Sequence, residues 1–218
     1  MDETLASHSV PLDDAESSRH AGAVRKAGIL CVCIPFEALD DFRSAGLLKN
    51  SGSYLVVGTT AKENGQVLPA AYVGKASTRR TGSGCFGRLL DHCRSLPARL
   101  EHPTHALVFT RCPNSSRNVF NAAQVACLEM ILVGRIKNGK RFELVNRQNP
   151  SNGDLGKKAR AKMEVLGESA VRLAALFGFP FSGRDLVPEV AGPPAEATVA
   201  WFPQTEEPDA GKVSRRPE

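Results

Sequence analysis

Two tyrosines, and no others in the chain, stand at positions 54 and 72. Arg88 and His92 follow four residues apart, a spacing that places both on one side of a helix. Glu129 is the one residue ionisable at neutral pH in the stretch NVFNAAQVACLEMILVG, residues 118–134. Phenol, guanidinium, imidazole and carboxylate are the groups that move protons, hold anions and bind cations. Each also has a plain structural use. Tyrosines pack across strands, an Arg/His pair can be a solvated face, and a core carboxylate can pair with a buried base. Glu129 sharpens the choice, because apolar residues surround it on nearly every helical bearing. An ionised carboxylate there needs a base, several hydrogen bonds or a metal cation.

The elements that must position these groups can be read in order. GILCVCIP, residues 28–35, is a buried strand ending at a proline, and FEALDDFRSAGLL is a short amphipathic helix. SYLVVG and LPAAYVG form a hairpin around Asn64-Gly65 with one tyrosine on each strand. Its register decides what the tyrosines can share. A two-residue turn at Asn64-Gly65 sets them on opposite faces, whereas a loop from Thr60 to Gln66 sets Tyr54 directly across from Tyr72. Pro69 argues against a regular central strand and favours a bulge. A basic loop, KASTRRTGSG, leads to the helix of residues 85–96, then to a strand over residues 104–112. The apolar helix of residues 118–134 follows, capped by Ser115, Ser116 or Asn118. A turn at Asn138-Gly139 leads to the strand FELVN, and a long helix over residues 157–179 docks through Met163, Leu166, Ala170 and Leu173.

Charge is distributed unevenly. The chain carries a net +5, but residues 45–150 hold fifteen Lys/Arg against five Asp/Glu, while residues 1–24 hold five acids and one base. So basic a middle suits a polyanion, with nucleic acid the first candidate. No stretch has the apolar length of a membrane span. The acidic, polar N-terminus has the pattern of neither a secretory signal nor a transit peptide. Six cysteines without a CxxC pair read as reduced thiols of a cytoplasmic protein. A zinc set of Cys93, His102, His105 and Cys112 matches no closed-site spacing. The expected organisation is a disordered leader (1–26), a strand-helix extension (27–49), a core (50–150), a C-terminal helix (151–182) and a Pro- and acid-rich tail (183–218). Trp201-Phe202 in that tail is a candidate docking motif for a protein partner.

Gly52-Ser53-Tyr54, Tyr72-Val73-Gly74, Arg88 with His92, Glu129 and Asn146 occur in an order that resembles the GIY-YIG nuclease superfamily across residues 50–150. The sequence departs in having Ser53 where that family has a branched aliphatic residue, and in a longer spacer between the tripeptides. The resemblance implies an α+β fold, a small mixed or antiparallel central sheet flanked by helices. It also implies endonucleolytic hydrolysis of nucleic acid, with DNA expected before RNA, and one Mg²⁺ or Mn²⁺ ion on Glu129. Tyr54 is then the candidate general base, its pKa lowered by the metal and Arg88, with His92 its rival. Tyr72 positions water or phosphate and Arg88 pairs with the scissile phosphate. Lys75, Arg79, Arg80 and Asn146 are assigned to the nucleic-acid-binding surface, Asn146 also as a residue that orders the site. A non-catalytic binding module or accessory subunit of the same fold is the alternative.

Overall fold

The run Ile29–Pro35 is apolar at every position, and every side chain in it is buried. A strand needs such continuity only when both faces of its sheet are covered, and this one is. Ile29, Cys31 and Cys33 join one core cluster, while Leu30, Val32 and Ile34 join a second on the opposite face. The computed structural model describes residues 7–9, 22–26, 28–43, 46–77, 84–95, 100–112, 119–150 and 153–182.

These residues form an α+β fold around one sheet. Its strands are β1 (Ser7–Ser9), β2 (Gly22–Lys26), β3 (Ile29–Pro35), β4 (Gly52–Ala61), β5 (Val67–Ala76), β6 (Glu101–Arg111) and β7 (Glu143–Leu144). They lie in the order β1-β2-β3-β6-β4-β5-β7. Every pairing is antiparallel except β5 with β7. Helix α1 (Gly84–Ser95) covers one face; α2 (Ala122–Gly139) and α3 (Lys157–Leu176) cover the other. Among the described residues no helix is long and apolar enough to cross a membrane.

Several expectations change. Residues 7–9 and 22–26, assigned to a disordered leader, are strands, with Lys26 opposite Ile29 across a tight connection. Gly28 turns it with φ +83°, a conformation a Cβ disfavours. β2 is held by the backbone ladder to β3 rather than by apolar periodicity, so its sequence gives little signal. The helix expected after Pro35 is instead two 3₁₀ segments, Phe36–Phe42 and Gly46–Lys49. The strand FELVN shortens to Glu143–Leu144.

α2 also starts and stops elsewhere. Its N-cap is Asn121, which accepts from the Gln124 amide and receives the reciprocal Gln124 side-chain bond, a full capping box. The three caps expected from sequence, Ser115, Ser116 and Asn118, lie outside the described residues. At the other end Asn138-Gly139 makes no turn. A Cβ on Gly139 would collide with the Phe181 backbone, so the glycine serves close packing. Lys140 takes the left-handed cap, at φ 55°. Between its ends α2 is buried over Val125–Glu129, Ile131–Val133 and Ile136, because it lies between the sheet and α3. That position explains its apolar bearing on all sides.

Candidate active site

The hairpin register is neither of the two weighed from sequence. Tyr54 pairs with Gly74, Val56 with Tyr72, and Ala61 with Val67. The connection is Lys62–Gln66, closed by a hydrogen bond from the Lys62 amide to the Gln66 carbonyl. This register lies two residues from the one that would set the tyrosines directly opposite. Because two is the side-chain period of a strand, they still share a face, as diagonal neighbours. Their ring centroids are 6.3 Å apart. Pro69 pairs with Thr59 in the ladder, and the irregularity expected beside it falls instead between β4 and β6, at Val57/Thr59.

Gly74 explains how Tyr54 lies down on this face. A Cβ at position 74 would run into Cζ, Oη and Cε2 of the Tyr54 ring. The missing side chain is the bed on which the phenol rests, and it directs the hydroxyl along the sheet toward α1. There Tyr54 Oη meets His92 Nε2 at 2.7 Å. Tyr72 stands edge-on to the same imidazole, with centroids 4.9 Å apart. His92 Nδ1 is buried without a hydrogen-bond partner. α1 is anchored for this purpose at its first turn, where the Cys85 amide donates to the Asn50 carbonyl and Gly84 fits against the backbone of Lys49 and Asn50.

Electrostatics separates the roles of the three rings. Burial pushes the Tyr54 phenol well above its ordinary 10, and Tyr72 and Glu129 add to the rise; Arg88 opposes it and does not prevail. The lowered pKa expected for Tyr54 is thus reversed by the protein's own groups, because the ring is only 2% exposed. Tyr72 is raised as well, by burial and then by Glu129. His92 moves down from 6.5, through burial and the Arg88 charge, with Asp91 opposing. At neutral pH the site therefore holds two phenols and an uncharged imidazole. Arg88 itself is half-exposed, 4.0 Å from Asp91, with its guanidinium close enough to act on all three rings.

Glu129 approaches from the other face. Ala71 and Val73 point toward α2, and Lys75 continues that series. Lys75 Nζ lies 2.9 Å from the buried Glu129 Oε2. The carboxylate still raises both phenols across the sheet, so the two faces are electrically one site. Among the described residues β7 pairs with β5 only at Ala70 and Ala71, short of Lys75. Lys75, expected on a phosphate, is thus the base that the buried carboxylate required.

Asn146, expected also to order the site, clamps the backbone of β5. Its Nδ2 donates to the Val73 carbonyl at 2.7 Å, and its Oδ1 accepts from the Val73 amide at 2.9 Å. It does for the β5 edge what another strand would do, so it orders the strand between Tyr72 and Gly74. Arg79, Arg80 and Trp201-Phe202 lie outside the described residues. The zinc set does not assemble: His105 packs on Phe179 with the α2–α3 core, whereas Cys112 belongs to the opposite cluster.

Among the described residues no group of three or more His, Cys, Asp or Glu converges. A hard divalent ion can bind through one carboxylate, with water and phosphate oxygens completing its shell. Glu129, a buried carboxylate whose one ion-pair partner among the described residues is Lys75, fits such a site, and Lys75 is the cation it would have to displace. Gly74 and Lys75 are singled out by sequence, but not as a bed for the Tyr54 ring and a partner for Glu129. Both follow once the register is known, since a glycine facing a large aromatic marks a ring bed, and the next residue must face α2. No protein-family model, curated protein or solved structure matches the chain.

Proposed function

We propose that the chain is a divalent-metal-dependent endonuclease that hydrolyses phosphodiester bonds in nucleic acid, DNA before RNA, as its resemblance to the GIY-YIG superfamily implies. The observation that carries this reading is the Tyr54–His92 contact of 2.7 Å, with Tyr72 and Arg88 beside it. Nothing in sheet packing calls for an uncharged imidazole held against two phenols and a guanidinium. Phosphodiester hydrolysis calls for a proton acceptor, anion donors and a source of positive charge.

In this reaction the phosphate seats against Arg88, whose fork offers two parallel N–H groups, and Tyr72 donates its O–H to a phosphate oxygen. Water attacks the phosphorus while passing a proton to Tyr54 Oη, and Tyr54 passes its own proton to His92 Nε2. His92 ends as the imidazolium, and the departing oxygen takes a proton from solvent. A phenolate never accumulates, which suits a tyrosine whose pKa burial has raised. Glu129 would hold the metal, which when bound supplies charge neutralisation at the phosphate. Lys75, released from the carboxylate, would keep its charge at the same edge.

One observation favours the second reading, a binding module without catalysis. Lys75 already compensates Glu129, so the site is electrically complete without a metal. The deciding experiment is a cleavage panel of single-stranded, double-stranded and branched DNA and of RNA, with and without Mn²⁺. Metal-dependent cutting that disappears in Arg88→Ala and Glu129→Ala supports the nuclease. Binding of any substrate with no cutting, under Mg²⁺ or Mn²⁺, overturns it in favour of the module.

A further inference from the structure

At the far end of β5 from Lys75, the chain builds a second basic feature. A cavity of about 380 Å³ opens between the C-terminal end of α2 and the β5–β7 edge. Lys137, Lys140 and Arg141 line it, with Leu68, Pro69 and Phe142 as its apolar wall. One acid, Glu143, also lines it.

Helix electrostatics accounts for only part of this charge. Lys137 lies in the last turn of α2, where a cation complements the dipole, and it is also bound to Asn149 Oδ1 at 3.0 Å. Lys140 and Arg141 come at and after the cap, and both are exposed. Among the described residues neither has an ion-pair partner. Two unpaired cations beside an apolar wall make a surface for an anion that also carries a flat or apolar part, and a nucleotide unit is such an anion.

Position supports the same ligand. Leu68 and Pro69 stand three or four residues before Tyr72 on β5, and Leu68 shares its face. At about 3.3 Å per residue the separation is roughly 10–13 Å.

Building on the nuclease reading, we infer that Lys137, Lys140 and Arg141 form a phosphate subsite. It holds the backbone of the same nucleic-acid strand on one side of the scissile bond. The subsite sets the path and register of the strand without reading bases, since it offers cations and an apolar wall rather than amide or carboxylate groups aimed at base edges.

The test compares the full-length chain with its Lys140→Ala/Arg141→Ala variant, measuring binding to a labelled duplex and to a labelled single strand over a salt series. Two lost phosphate contacts should flatten the slope of log K against log salt by about 1.8 on duplex and about 1.4 on single strand. Equal slopes and affinities for the two proteins overturn the subsite while leaving the nuclease reading intact. Absence of salt-dependent binding by the unmodified protein overturns both. Should the double variant fold poorly, lysine acylation of the unmodified protein gives the answer. Bound duplex should protect Lys140 but not Lys158 on α3, and equal labelling with and without duplex refutes the subsite.

Discussion

The contact between Gly74 and the Tyr54 ring gives the most direct handle on how this site is built. Gly74→Ala places a methyl group where Cζ, Oη and Cε2 of Tyr54 now lie. The ring cannot settle deeper, because it is 2% exposed within a packed cluster that includes Val56, Val108 and Leu89. Overpacking of this kind costs about 1–3 kcal/mol. Displacing the hydroxyl from His92 adds the net worth of one hydrogen bond, about 1 kcal/mol. Replacing a strand glycine by alanine returns about 0.5–1 kcal/mol of chain entropy. The sum is a destabilisation of about 1–3.5 kcal/mol, which at this chain length lowers Tm by roughly 2–14 °C.

Removing the ring removes the collision. Tyr54→Ala alone should cost about 3–5 kcal/mol as a buried large-to-small change. Added to it, Gly74→Ala should be neutral or stabilising by up to about 1 kcal/mol. The double-mutant cycle, measured by urea denaturation, should therefore show a coupling of about 3 kcal/mol, large for a pair whose contact is one ring over one hydrogen atom. Catalysis should follow geometry: Gly74→Ala should lose cleavage far more than binding, because it moves Tyr54 off His92 without touching a cation. If Gly74→Ala costs the same in both backgrounds, the ring does not rest on position 74. The explanation of how Tyr54 reaches His92 is then wrong.

Four further outcomes follow from the same geometry. The cleavage rate should be flat at neutral pH and fall only below 6.5, with the midpoint set by His92; a limb near or above 10 would instead mean that Tyr54 ionises in the rate-limiting step. Folding stability should share part of that window. A histidine whose folded pKa is depressed contributes stability above its unfolded value of 6.5 that is lost as pH falls through the folded pKa, so His92→Gln should flatten the acid side of a Tm–pH curve. Asn146→Ala strips the Val73 amide and carbonyl of their partners, which should cost about 1–3 kcal/mol and speed hydrogen exchange at the Val73 amide; unchanged exchange there would contradict the clamp. Lys75→Ala leaves the Glu129 carboxylate without its cation, so Mn²⁺ should raise Tm more in this variant than in the unmodified protein, and an equal shift would argue against a metal on Glu129.

How far the sequence could be read depended on where the deciding information lies. Ile29–Pro35, α1, α2 and α3 were legible because burial writes a period or an apolar run directly into the residues. β2 was not, since its place comes from backbone bonds that any side chain permits. The shared face of Tyr54 and Tyr72 was required by the chemistry but not specified by the turn residues, as Asn64-Gly65 is compatible with either parity. The Lys62–Gln66 loop settles it. Glu129 was recognisable as a carboxylate needing compensation, yet a sequence cannot say whether that compensation is resident or recruited. The structure supplies a resident cation, Lys75, on the residue directly after the glycine that beds Tyr54. One tetrapeptide, Tyr72-Val73-Gly74-Lys75, thus serves both faces of the sheet in alternation: a phenol toward His92, a clamped backbone at Asn146, a vacancy for the opposing ring, and a cation for Glu129. A one-residue slip in β5 would exchange the two faces and break all four relations at once. The Asn146 clamp on Val73 opposes that slip, because it holds the one residue of the four whose own side chain is committed to the core.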